Sequence, residues 1–187
     1  MIFKVTNNVW KLQLDTEATN IYLLEKEKIV IDTGYRSLKQ IVVQFLGKVV
    51  PLDQIEKVLF THLHFDHIGN FDLFPNAKFY ASAQEIEDFK KDPAGAVFRK
   101  DMAEKFNVKL IPLPKKIGPL EVIPTPGHTR GSVSFWYPEE KVLFSGDTVF
   151  PGAIGQTIYA TSVPEKMSES VMKLAEINQK FLCAGHD

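Results

Sequence analysis

One cysteine, Cys183, stands among 187 residues, so no disulfide can form within the chain and the fold must be held by its core. That scarcity suits a reducing compartment, and a cytoplasmic protein is the expectation. No apolar run approaches the ~20 residues that span a bilayer. The opening MIFKVTNNVW lacks the basic start and long apolar stretch of a signal peptide, so no membrane role is expected. An excess of one charge is also missing. The 22 basic and 23 acidic residues leave a net charge of −1, which offers no footprint for nucleic acid or an anionic membrane. Lys115-Lys116, the densest basic pair outside the helices, reads as solvated surface. Low-complexity stretches and charge blocks are absent, so no linker divides the chain, and residues 1–187 read as one domain.

What is present alternates between strand and helix patterns. Strand-like runs occur at Ile2–Val5, Val9–Leu14, Asn20–Leu24, Lys28–Ile31, Val58–Phe60 and Phe79–Ala81. Helical spacing predicts a helix from Ser37 to Gly47, with Leu38, Ile41, Val42 and Phe45 as its apolar stripe. A helical region covers Ala83 to Phe106, interrupted at Pro93-Ala94-Gly95. Further strands are expected at Val108–Pro112, Leu120–Pro124, Ser132–Tyr137, Lys141–Ser145 and Phe181–Ala184. A helix should begin near Pro164, with Met167, Val171 and Leu174 on one face. Two sheets face to face with helices outside would bury these faces.

Chemistry concentrates in the run Thr61-His62-Leu63-His64-Phe65-Asp66-His67, which leaves a buried strand and holds three of the five histidines. In an extended segment His62, His64 and Asp66 share a face, and a bend at Asp66-His67 before Gly69 turns His67 toward them. Packed imidazoles repel one another when protonated. A divalent cation removes that conflict, because it takes neutral nitrogens and an anionic oxygen. Three other strand ends repeat one device, a glycine followed by a candidate ligand: Gly127-His128, Gly146-Asp147 and Gly185-His186.

This set, HxHxDH followed by PGHT, SGDT and AGHD, resembles the metallo-β-lactamase superfamily. The segments Asn20–Leu24 and Ile29–Gly34 resemble its N-terminal strand pair. The resemblance implies an α/β fold, the four-layer αββα sandwich, with the site at one edge of the sheets. It implies two divalent metal ions, with zinc expected and iron or manganese as alternatives. His62, His64 and His128 would hold the first, and Asp66, His67 and His186 the second, with Asp147 bridging. By the same resemblance Asp32 is support rather than an eighth ligand.

A hydrolase follows from such a centre, with hydroxide formed at neutral pH and the metals taking up the developing oxyanion. Asp66 would hold and orient the nucleophile as the catalytic carboxylate. Ser132 and Ser145 have no histidine left to activate them, and Cys183 reads as a small buried hydrophobe. Phe65 and Trp136 read as core.

Within the superfamily, Asp147 stands where zinc β-lactamases differ, and His64 where diiron flavoproteins carry glutamate. PGHT and SGDTVF resemble glyoxalase II, the hydroxyacylglutathione hydrolase. Its helical glutathione-holding region has no counterpart here, and Gln156 replaces its usual arginine. LHFDH and the closing GHD resemble acyl-homoserine lactonases. The expectation is therefore cleavage of an ester, thioester or lactone. Two alternatives stand beside it: a persulfide dioxygenase-like oxygenase with one iron on His62, His128 and Asp147, and a metal-binding protein without catalysis. Loop 150–162 and insert 83–106 should set the substrate. A chain ending one residue after a ligand leaves that edge thinly anchored, and a dimer covering it is one expectation.

Overall fold

The computed structural model describes residues 1–13 and 19–187. Seven strands lie side by side in chain order: β1 (Ile2–Lys4), β2 (Val9–Leu12), β3 (Ile21–Leu24), β4 (Ile29–Ile31), β5 (Lys57–Leu59), β6 (Lys78–Ala81) and β7 (Leu110–Pro112). The first three pairings are antiparallel and the last three parallel. Parallel neighbours need crossovers, and the helices provide them. These are α1 (Lys39–Leu46) after β4, α2 (Phe65–Ile68) after β5, and α3 (Ala83–Lys91), α4 (Pro93–Val97) and α5 (Lys100–Lys105) after β6.

The second sheet contains β8 (Lys116–Ile117), β9 (Leu120–Pro124), β10 (Val133–Tyr137), β11 (Val142–Gly146) and β14 (Phe181–Ala184), in the order β14-β11-β10-β9-β8. Only β11 and β14 run parallel, joined through α6 (Pro164–Ala175). A small hairpin, β12 (Val149–Phe150) and β13 (Ala153–Ile154), follows β11.

Alternation sorts the strand residues into two cores. Ile21, Leu23, Val30 and Val58 join Val42 and Leu46 of α1, Ile86 of α3 and Met102 of α5 in the outer core. Their neighbours Tyr22, Leu24, Ile29, Ile31 and Leu59 face the opposite way. They meet Leu120, Val133, Phe135, Val142, Phe144 and Cys183 of the second sheet. Each fully buried aliphatic or aromatic side chain contributes roughly 1.5–3 kcal/mol, so two such cores need no disulfide. On the far side α6 turns Met167, Ser170 and Leu174 inward, and Ser170 Oγ donates to the Pro126 carbonyl at 2.7 Å. The result is the expected αββα layering.

Local differences have local causes. Helix α1 starts at Lys39 because Arg36–Leu38 tighten into a 3-10 turn, and its buried positions are Val42 and Leu46. Pro93-Ala94-Gly95 does not interrupt the helical region but forms α4. Pro93 sits in its first turn, and Asp92 Oδ1 accepts from Gly95 N at 3.0 Å. The breaks fall at Asp92 and Phe98 instead. Leu14, expected to end the second strand, lies outside the described residues. No helix among the described residues is long and apolar enough to cross a membrane.

Candidate metal centre

Every candidate ligand sits where a strand ends at one edge of the sandwich. Strand β5 ends at Leu59 and delivers His62 and His64. The chain then turns into α2 one residue earlier than expected, so Asp66 and His67 lie on a helical turn rather than on an extended face. Strands β11 and β14 are parallel neighbours whose ends are tied by Gly185 N donating to Gly146 O at 2.8 Å. Asp147 and His186 therefore emerge side by side. Gly146 has φ +51, and a Cβ there would stand 2.7 Å from Thr61 Cβ. A Cβ on Gly185 would overlap the Asp147 carboxylate, so the glycine before each of these ligands is a requirement of close approach.

The side chains converge in three overlapping trios: His62, His64 and His128; His62, His67 and Asp147; Asp66, His67 and His186. Within each trio the potential ligand atoms lie within 4.8 Å of one another. His64 Nδ1 and His128 Nε2 are 3.0 Å apart. Asp147 Oδ2 lies 3.5 Å from His128 Nε2 and 3.4 Å from His186 Nε2, and its Oδ1 lies 3.3 Å from His67 Nε2. Donors ~2.0–2.1 Å from a tetrahedral ion stand about 3.3 Å apart, which is the scale of these separations.

Burial strengthens the case for a cation. His62 Nε2, His67 Nε2 and Asp147 Oδ1 are buried with no hydrogen-bond partner, an expensive arrangement for a protein to keep. A divalent ion would satisfy such atoms, so the residues fit the group. The opposite ring nitrogens are already committed. His62 Nδ1 meets Thr61 Oγ1 at 3.1 Å, His128 Nδ1 donates to the Gln156 carbonyl at 2.7 Å, and His67 Nδ1 meets Asp32 Oδ2 at 2.9 Å. Each contact leaves Nε2 aimed inward.

Electrostatics divides the centre in two. Burial, with repulsion from neighbouring imidazoles, holds His62 well below its ordinary pKa and His64 at about 3, and burial also lowers His128. These three are neutral, as ligands must be. Burial works against protonated His67 as well, but Asp147, Asp32 and Asp66 outweigh it and raise the group well above the usual range. His186 likewise overcomes burial through Asp147 and Asp66 and rises to about 9. Burial disfavours the Asp66 anion, yet His67 and His186 pull its pKa to about 2, and Asp147 is held well below its usual value in the same way. The aspartates thus demand positive charge, supplied by protons here or by a metal that displaces them.

Two contributors went unremarked in the sequence. Glu85, buried in the first turn of α3, accepts from Leu63 N at 2.8 Å and from Thr129 Oγ1 at 2.6 Å, tying the HxHxDH loop to the PGHT loop. Tyr159 lays its ring edge-on to His64 and His128, at 4.7 and 5.1 Å between centroids. An acid near a helix start is a common surface pattern, so nothing in one sequence distinguishes Glu85. Of the residues set aside, Ser145 Oγ donates to the Val149 carbonyl, Cys183 is buried, and Trp136 is half-buried on β10.

Comparison with known proteins accords with this geometry. Residues 14–186 match the family model described as the metallo-beta-lactamase superfamily. A probable metallo-hydrolase of Methanocaldococcus jannaschii is 31% identical over 85% of this chain and 70% of its own length. The hydroxyacylglutathione hydrolase of Hydrogenovibrio crunogenus is 32% identical over 72% of this chain and 46% of its own, so the chain spans about half of that relative. Among solved structures, TTHA1623 in a di-iron-bound form aligns with a TM-score of 0.75 and 25% identity, covering 95% of this chain and 91% of that one. The B3 metallo-beta-lactamase BLEG-1 aligns with the same score at 26% identity, covering 96% and 91%.

Proposed function

Because the chain belongs to the metallo-β-lactamase superfamily, we propose that it hydrolyses a small-molecule ester, thioester or lactone at a centre for two divalent ions. His62, His64 and His128 would hold one ion, and Asp66, His67 and His186 the other, with Asp147 between them. One observation carries this reading: the Asp147 carboxylate stands 3.3–3.5 Å from His128, His67 and His186, so a single group reaches histidines of both outer trios. Zinc is the proposed metal, and the di-iron form of TTHA1623 makes iron the first alternative to test.

Ions held there would supply an acidified water at neutral pH and Lewis acidity toward the group under attack. The protein's own residues do the positioning. Asp66 is anionic and fixed by Thr19 Oγ1, which donates to its Oδ2 at 3.1 Å, so the carboxylate is placed to hold and orient the attacking water. Asp32 fixes the His67 ring, and the Gln156 carbonyl fixes His128. The ester carbon gains the water oxygen, and the alcohol or thiol leaves with a proton. A buried free thiol at Cys183 suits the cytoplasmic setting proposed for this chemistry.

Metal analysis and a panel of esters, thioesters and lactones on one preparation test the reading. Two ions per chain with turnover support it. About one iron per chain with thiol-dependent oxygen uptake would favour the oxygenase instead. Asp66→Ala should retain the ion of the His62 trio and abolish hydrolysis, so turnover persisting in that variant would contradict the role of Asp66.

A further inference from the structure

A cleft of about 400 Å³ opens directly above Asp147, His128 and His186, within the range of small-molecule sites. Beyond the candidate ligands its walls are mostly apolar, with Phe150, Pro151, Ala153 and Ile154 of the β12–β13 hairpin and the ring of Tyr159, and Gln156 as the uncharged polar residue among them. No lysine or arginine among the described residues lines it. The one acid at its rim outside the candidate ligands, Asp187, has its side chain engaged by Lys11 and Gln13. A substrate tail bearing carboxylates would find no cationic partner on these walls.

Apolar side chains in the cleft wall and in the segments beside it are exposed to a degree that folding alone does not reward. Ile154 is 55% exposed, Ile158 beside Tyr159 is 79% exposed, and Phe98 is 55% exposed. Phe98 is the more telling residue. It stands at φ +60, a left-handed conformation that a bulky side chain enters at a cost and that glycine would take freely. Its ring meets Tyr159 edge-on at 4.8 Å, and the His64 ring lies 6.1 Å away. Insert 83–106 and loop 150–162 therefore touch through two aromatic rings over the first histidine trio. Phe150 flanks the other side, 6.0 Å from the His186 ring.

We propose that this cleft is the subsite for a linear apolar acyl chain, with Tyr159, Phe150 and Ile154 as the walls that select an uncharged ester or thioester over a charged one, and Phe98 as the ring that backs Tyr159. The assignment rests on the hydrolase reading for its chemistry, but the walls can be tested by binding alone. Linear aliphatic amides of two to ten carbons, uncharged and not cleaved as esters are, are titrated into zinc-loaded protein with calorimetric detection. Kd should fall about two- to fourfold per added methylene until the cleft is filled, the upper figure being full transfer of one methylene from water.

Ile154→Ser and Phe98→Gly should each flatten that dependence. Phe98→Gly should also raise Tm, because glycine adopts φ +60 without strain. A residue kept for packing would lower Tm and leave the length dependence unchanged, and that pair of results would overturn the proposal. So would a Kd independent of chain length in the unaltered protein. p-Nitrophenyl esters of the same acyl series separate the two readings. Length-dependent amide binding without ester turnover would remove the hydrolase and leave the subsite. Turnover with no length preference in binding would remove the subsite and leave the hydrolase.

Discussion

Replacing Asp32 by Asn turns one acceptor into a donor beside His67. Asp32 follows β4 at φ +56, a conformation that Asn tolerates at least as well, so the backbone has no reason to move. Its Oδ1 accepts from Thr61 N at 2.9 Å, and an Asn carbonyl can do the same. Its Oδ2 accepts from Thr61 Oγ1 at 2.8 Å and faces His67 Nδ1 at 2.9 Å. With an amide NH₂ at that position, His67 Nδ1 must accept rather than donate, which drives the ring proton to Nε2, the atom aimed at the metal. Loss of a partner of this kind typically costs 10–100-fold in metal affinity, about 1.4–2.7 kcal/mol. The loss should fall first on the ion that His67 would hold, and more weakly on the His62–His64–His128 set, which Asp32 reaches only through Thr61 Oγ1 and His62 Nδ1. Competition with a chromophoric chelator reads the two affinities stepwise. Asp32→Ala is the control. It strands the buried Thr61 N–H, at about 1–3 kcal/mol, and adds left-handed strain, so it should lower metal-free stability where Asn does not. Two ions bound by the Asn variant with unaltered affinity would refute the tautomer argument.

Metal removal should cost the whole fold. At free ion a thousandfold above Kd, binding contributes about 4 kcal/mol, so a chelator should lower Tm by roughly 8–16 °C for a chain of this size. A melting curve indifferent to chelator would contradict the proposed ligand set. Glu85 should act in the opposite direction to most carboxylates, because burial raises its pKa from 4.5 to about 7 against the pull of Thr129 and Leu63. A raised acid binds its proton more tightly in the folded state, so its contribution is greatest below pH 4.5 and is lost as pH rises toward 7. Comparison with Glu85→Gln isolates the group. The stability difference should shift in favour of the variant by on the order of 3 kcal/mol across that window, and parallel pH profiles would refute it.

Strand and helix order was legible because alternation and helical spacing are local, and β3 sorts its residues to the two cores as alternation requires. The ligand candidates were legible because glycine-then-ligand at strand ends is a pattern in one dimension. What escaped needed the third dimension. The bend into α2 comes at Phe65, because the helical turn must bring Asp66 and His67 back toward strand ends that arrive from elsewhere. Two-residue strands such as β8 and β12 carry no period to read. Glu85 and Tyr159 acquire meaning only from what they touch, 22 residues away for Leu63 and through ring packing on His64.

The two sheets divide the chain cleanly. Strands β1–β7 of the first sheet occupy residues 2–112, and the second sheet with its inserted β12–β13 hairpin occupies 116–184. The candidate ligands divide with them: His62, His64, Asp66 and His67 come from the first half, and His128, Asp147 and His186 from the second. Ions at this edge would therefore act as rivets between two consecutive blocks of sequence, the part that disulfides play in small secreted domains. Parting the sheets would break coordination on both sides at once, so opening of either block would be penalised by the other. The cohesion of the sandwich would then vary with metal supply, and a cell short of the ion would hold a looser protein as well as an inactive one.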